Sequence, residues 1–413
     1  MAVLISAACL CGVFECWPVA LLSTAHAQDG KPVPDPMRAT RIGYVGDSAC
    51  LPCHKQQAIS YSQTAHHLTS QLPDSDSILG SFKEGENILM IANPSTIDDP
   101  RLFFKMEKTP DGYRQSAIAE RGQKKLTHSE RIDLVFGSGV RGQTYLYWSG
   151  NQLFELPVSY WSDGHQWINS PGYEDGTANF NRHVDPRCVE CHATYVRPLS
   201  TDPQTNVFEK DSLISGISCE SCHGPGADHL AQETSRSTRP AKPANSSILN
   251  PAKFVRDRQV DQCALCHNGT DRKELAPAFS YLPGRILDQY LGPNPVYVAD
   301  RQDVHGNQVG LLKKSLCYLA SPSMSCSTCH DVHEPERAAA DHSDRCLTCH
   351  QWQSCGASRT LGIKIKQNCI DCHMPLQQTN AIVSVTAGKV LRTSIRTHWI
   401  KIYPAKAQEF IER

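Results

Sequence analysis

The chain has 413 residues, 40% of them hydrophobic and 20% charged, with 41 Lys+Arg against 42 Asp+Glu and a formal net charge of −1. That length suffices for two or three domains, and the composition excludes collagen-like, coiled-coil and disordered chains. The even charge balance, without a basic block, gives no sign of a nucleic-acid partner.

Residues 1–27 hold one charge, Glu15, and an apolar stretch from Ala2 to Leu22 leading to Ala25-His26-Ala27. This is the pattern of a secretory signal, so cleavage is expected near Ala27 and a periplasmic or extracellular location follows. No second run of ~18 apolar residues occurs, so no membrane span is expected in the mature chain. Residues 28–77 hold the first copy of a short motif, Cys50-x-x-Cys53-His54, and a predicted helix running from it through QQAISYSQTAHH to His66 and His67. Between 78 and 182 no copy occurs. There RLFFKMEK, a TPDG turn, YRQSAIAE, then QTYLYW, an SGN turn and QLFELPVSYW alternate and turn as antiparallel hairpins do. Six further copies fall in 183–375, interrupted by a polar, Pro/Ser-rich stretch at 230–250 that reads as an exposed linker. The tail, 376–413, is β- and helix-capable, carries His398 and is expected to wrap back over the six-copy segment.

The motif C-x-x-C-H thus occurs seven times, where about 0.03 copies are expected from composition. It is the attachment pattern of haem c. Two thiols a short turn apart add to the vinyl groups, and the adjacent imidazole reaches the iron as proximal ligand. Zinc also uses CxxC pairs, yet zinc does not explain a His after every second Cys. The expected cofactor is therefore heme c, seven copies covalently attached through Cys50, Cys53, Cys188, Cys191, Cys219, Cys222, Cys263, Cys266, Cys326, Cys329, Cys346, Cys349, Cys369 and Cys372. The proximal ligands are then His54, His192, His223, His267, His330, His350 and His373. Motif starts lie 138, 31, 44, 63, 20 and 23 residues apart. Such crowding leaves little protein core, so short helices and loops must pack on porphyrin.

What fills the sixth position decides the chemistry, because a six-coordinate haem passes electrons and an open one binds substrate. His229, in CHGPGADH, His333, in CHDVH, and His342, four residues before Cys346, stand too near their own motifs to reach round the same porphyrin. They are expected on neighbouring irons. His66 or His67, His305 and His398 complete the expected distal set, His183 is left open, and His128 and His165 read as surface residues. Cys317 and Cys355 bracket two motifs. They suggest a disulfide worth about 3–4 kcal/mol on the loop-entropy model, with two free thiols as the alternative.

YVGDSACLPCH with its His pair, FGSGVRGQTYLY, ELPVSYW, SPGY, CESCHGPG, SLCYLAS before CSTCHDVH, and CIDCHMP give the chain a wider likeness. It resembles the secreted multihaem cytochromes c related to the nitrifier tetrahaem cytochrome, pentahaem nitrite reductase and hydroxylamine oxidoreductase. The resemblance implies a fold of mainly short α-helices and loops packed on haems, here with an inserted antiparallel β unit. It also implies closely packed, mostly bis-His haems that mediate electron transfer. Partners would be redox proteins, either other cytochromes or a membrane quinol-linked oxidoreductase. The rival expectation is an oxidoreductase of nitrogen or sulfur compounds with one open haem, its pocket lined by His128, His165 or Arg141. Against it, no CxxCK occurs and the motifs number seven rather than eight.

Overall fold

Alternating apolar and polar residues between Ser70 and His183 form two antiparallel sheets, as a period of two dictates when one face is buried. The computed structural model describes residues 43–92, 101–235, 247–294 and 302–412; the expected signal, 1–27, lies outside them. β1 (Ser70–Gln71) belongs to the second sheet. The first is a meander of β2 (Ile88–Ala92), β3 (Arg101–Thr109), β4 (Gly112–Arg121) and β5 (Lys124–Arg131). The second adds β6 (Leu134–Phe136), β7 (Gly142–Ser149), β8 (Gln152–Glu155), β9 (Val158–Trp161), β10 (Gln166–Asn169) and β11 (Arg182–His183). Its order is β1-β6-β7-β8-β11, with β9 on β7 and β10 on β9. The TPDG and SGN signals form the β3–β4 and β7–β8 turns.

One core joins the two sheets: Phe104 and Met106 of β3 pack with Tyr145, Leu156, Val158 and Trp167. A deep polar side chain is satisfied there, since the fully buried Gln115 amide donates to the Val158 carbonyl at 2.7 Å and accepts from Val158 N at 3.1 Å. A second core binds Leu134, Phe136, Leu146 and Leu153 to Val184, Val189, Val196 and Phe208. This cluster seats the second motif on the β unit.

Helices beyond the β unit are short, four to twelve residues among those described. They are α1 (Asp47–Cys50), α2 (Lys55–Tyr61), α3 (Pro186–His192), α4 (Cys219–His223), α5 (Ala227–Ser235), α6 (Arg256–His267), α7 (Gln308–Leu312), α8 (Leu316–Ala320), α9 (Ala339–Leu347), α10 (Ser358–Leu361), α11 (Cys369–His373) and α12 (Pro404–Ile411). The longest, α6, buries Val260 and Ala264 against Tyr281, Leu287, Tyr290, Val309 and Tyr318.

Three expectations are amended. The six-motif segment contains a strand pair, β12 (Ala193–Pro198) with β13 (Phe208–Ser215), because Ala193, Val196 and Phe208 supply an apolar face to the second core. Residues 230–235 of the expected linker belong to helix α5, and 236–246 lie outside the described residues. The tail hairpin, β14 (Leu376–Thr386) with β15 (Lys389–Arg396), also docks on the β unit: Asn169 N donates to Thr386 Oγ1 at 2.9 Å and Ser384 Oγ donates to Asn169 O at 2.7 Å.

Candidate functional site

Each motif lies on, or starts from, a helix or a single 3-10 turn, which sets its two thiols and its imidazole on one local surface. Motif 1 follows α1, motifs 2, 3, 4 and 7 end α3, α4, α6 and α11, motif 5 begins a turn at Cys326–Thr328, and motif 6 begins in α9. Several motif imidazoles are oriented by backbone carbonyls at Nδ1, which leaves Nε2 free for a metal. His223 Nδ1 lies 2.8 Å from Leu249 O, and His373 Nδ1 lies 3.0 Å from Lys401 O. His192 Nδ1 lies 3.1 Å from Thr69 Oγ1.

The non-motif histidines come to these imidazoles from elsewhere in the chain. His54 and His229 have ring centroids 6.4 Å apart with planes at 28°. His223 and His333 are 6.1 Å apart at 20°, His330 and His398 6.0 Å at 23°, and His267 and His66 6.0 Å at 80°. With metal–imidazole bonds of about 2 Å, as at zinc, two imidazoles on opposite sides of one ion have centroids ~6 Å apart. The donor set therefore fits haem iron at four motifs.

Burial supports the same fit, since a ligating imidazole must be neutral. His267 is lowered to about 4, first by burial and then by His66. His398 is lowered to about 4 by burial and by His330. Burial also lowers His66, His192, His223, His305 and His330. Apolar side chains near the motifs lack protein cover: Leu316 is 80% exposed and Leu319 64%, and a cleft of about 240 Å³ lies among Leu51, Ile59, Tyr61 and Cys219. Such surfaces suit a porphyrin face.

The remaining candidates are distributed differently. His67 turns from any motif imidazole to Asp47, its Nδ1 3.2 Å from the carboxylate. His342 lies 5.2 Å from the His330 ring, but its Nε2 is held by Glu336 Oε1 at 2.7 Å. His305 is electrostatically coupled to His192, while the His192 ring stacks on Phe136 at 4.9 Å. Neither His350 nor His373 has a ring partner among the described aromatic pairs. The residues of the rival pocket do not converge. His128 meets Glu130 and the Phe180 ring, Arg141 meets Asp163, and His165 occupies a left-handed turn position on the β unit. Cys317 and Cys355 are free thiols: Cys317 neighbours Cys329, whereas Cys355 neighbours Cys372, so the suggested disulfide is not formed.

Sequence reasoning missed the groups that fasten one motif to another. Glu220, inside motif 3 and 1% exposed, accepts from Val45 N at 2.9 Å, Gly46 N at 2.9 Å and Gly226 N at 2.9 Å. Asp47 accepts from Cys219 N at 2.9 Å. The only local hint was an acidic residue between two motif cysteines. Two arginines beside the motifs are also engaged by protein: Arg187 by Glu190 and Leu265 O, and the buried Arg272 by Gly292 O, Leu291 O and Asp288.

Comparison with known proteins gives three findings. Residues 165–224, which include motifs 2 and 3, match the family described as cytochrome c554 and c-prime. The C-type polyheme cytochromes OmcB and OmcC of Geobacter sulfurreducens are each 30% identical to this chain, over 88 and 91 residues. Those stretches are 21% of this chain and 9% and 10% of the relatives, so the chain matches only about a tenth of their length. The crystal structure of the outer cell wall cytochrome OcwA superposes with a TM-score of 0.52 at 15% identity, covering 89% of this chain and 81% of that one. This last likeness concerns the fold. No helix among the described residues is long and apolar enough to cross a membrane.

Proposed function

We propose that this chain, a multihaem c-type cytochrome, carries seven covalently attached haems and relays single electrons between redox proteins outside the cytoplasm. The observation that carries the reading is the set of four imidazole pairs separated by 6.0–6.4 Å. In each pair, one ring belongs to a motif and the other comes from a distant or neighbouring segment. His229, His333, His66 and His398 are accordingly the distal ligands at motifs 1, 3, 4 and 5.

Bound haem supplies one-electron iron chemistry, and two imidazoles per iron close the metal to substrate. The chain's own part is to hold the ligands neutral, fix ring planes through backbone carbonyls, and cover porphyrin faces with apolar residues. Cys53, Cys188 and Cys349 are exposed residues while the other motif cysteines are half-buried, so motifs 1, 2 and 6 stand nearest the surface for partners. The match to the cytochrome c554 family across motifs 2 and 3 supports kinship with the nitrifier group. The name of the outer cell wall cytochrome is in keeping with an extracytoplasmic setting.

Intact-mass measurement of the exported protein tests the reading. A mass equal to the polypeptide plus seven haems is expected, and a mass matching the bare polypeptide refutes it.

A further inference from the structure

Helix α6, which carries motif 4, meets three other attachment sites. Arg187 in α3, next to Cys188 of motif 2, donates to the Leu265 carbonyl, and the Cys191 thiol interacts with that of Cys266. Ser325, next to motif 5, donates to Gln259 Oε1 at 2.8 Å, and Cys326 interacts with Cys263. Toward motif 3, Gln262 meets the Cys222 thiol, and Ile217 N donates at 2.9 Å to the carbonyl of His66, whose ring faces His267. The other contacts run in line. Motif 1 joins motif 3 through Asp47 and Cys219 N, motif 5 approaches motif 6 through His330 and His342, and motif 6 joins motif 7 through Ser343 Oγ and Cys369 N at 3.1 Å.

We propose that α6 holds a three-way electron junction, at which a side branch ending at motif 2 enters a line running from motifs 1 and 3 to motifs 5, 6 and 7. This rests on the ligand pairs proposed above. Motif 2 also touches motif 3, where Ser221 Oγ donates to Thr194 Oγ1 at 3.0 Å. That contact runs from the segment after motif 2 to Ser221 inside motif 3 and involves no attachment sulfur of motif 2, whereas Arg187, beside Cys188, bonds to Leu265 between Cys263 and Cys266, and the Cys191 thiol meets that of Cys266. Haems held by those sulfurs would be carried by neighbouring residues of motifs 2 and 4. Cys188, exposed at the surface, makes motif 2 a third terminal. A docked one-electron donor there could feed the line at its middle. Each step moves one electron from ferrous to ferric iron, with no bond made or broken.

The test uses the full haem-loaded chain. His66→Met and His333→Met, made separately, replace one imidazole by a thioether at motif 4 or motif 3. Each raises the potential of one iron and gives it a sulfur-to-iron absorption band. A ruthenium–bipyridine photoreductant is attached at Asn181→Cys, seven residues before Cys188, or at Gln57→Cys, beside motif 1; both positions are exposed. After a flash from position 181, the His66→Met band should bleach before the His333→Met band, and from position 57 the order should reverse. Bleaching of the His333→Met band first from position 181 overturns the junction and leaves the ligand pairs standing. A seven-haem variant with no sulfur band overturns the pairs and the junction together. Should either Met variant lose haem by mass, freeze-quenched electron paramagnetic resonance of the labelled chain with native ligands reads the same order. The perpendicular pair at motif 4 gives a strongly anisotropic signal, whereas the near-parallel pairs at motifs 1, 3 and 5 give rhombic ones, so the junction requires the anisotropic signal to fall first on injection at 181. Loss of the rhombic signal first, on injection at 181, refutes the junction.

Discussion

At the scale of single residues, the ligand pairs differ in consequence from the histidines beside them. His333→Ala removes the ring facing His223, so one ferric haem should become high-spin, read as a new axial resonance; an unchanged spectrum would remove His333 from the ligand set. At motif 5 two histidines stand near His330, and Glu336 already holds the Nε2 of His342. His398→Ala should therefore create one high-spin haem while His342→Ala leaves the spin count unchanged. The opposite result would exchange their roles. A separate residue-level effect belongs to Glu155, whose carboxyl is raised to about 7 by burial, with Arg182 Nε at 3.2 Å opposing the shift. A folded value above the unfolded one means a stabilising contribution present below about 4.5 and lost as pH rises toward 7. Glu155→Gln should flatten the pH dependence of denaturant unfolding across that window. If the slope persists, the carboxyl is not its source.

Elements decide which ligand reaches which iron, and this is where the sequence was least legible. The seven CxxCH motifs could be read directly, because the pattern occupies consecutive positions. The choice between His66 and His67 could not, since both end the same helix-like run and only the tertiary fold turns one to His267 and the other to Asp47. A close backbone crossing fixes that choice. Gly216 has φ +67°, and a Cβ there would lie 2.1 Å from the His67 carbonyl oxygen. Gly216→Ala should displace the 66–67 segment and weaken the perpendicular pair, seen as loss of the strongly anisotropic resonance with all seven haems still attached. An unaltered resonance would show that this crossing does not position His66. The alternating hairpins of the β unit were legible because turn residues and a period of two act locally. Strands β12 and β13 were not, because their apolar face has meaning only against Leu134 and Leu153. Phe208, fully buried in that cluster, should cost about 3–5 kcal/mol as Phe208→Ala in denaturant unfolding. A cost below ~1 kcal/mol would deny the cluster its role in seating motif 2.

Over the whole molecule, the proposed function has cofactor and protein share the work of a core. The β unit closes on its own side chains, from Phe104 through Tyr145 to Trp167, whereas exposed Leu316 and Leu319 near the motifs await cover that another protein element does not supply. That division explains why the sheets could be anticipated from residue patterning and the six-motif segment only from the spacing of its attachment sites. On the proposed ligation it would also explain how so few long helices hold the segment together: histidines from α5, the loop after motif 5, the segment before β1 and the tail each face a motif imidazole elsewhere, so ligation would supply long-range links. The most direct test of that account is the spin state of the oxidised, fully haem-loaded protein, integrated by electron paramagnetic resonance. At least four of seven ferric irons should be low-spin, one for each imidazole pair; fewer than four would contradict the account.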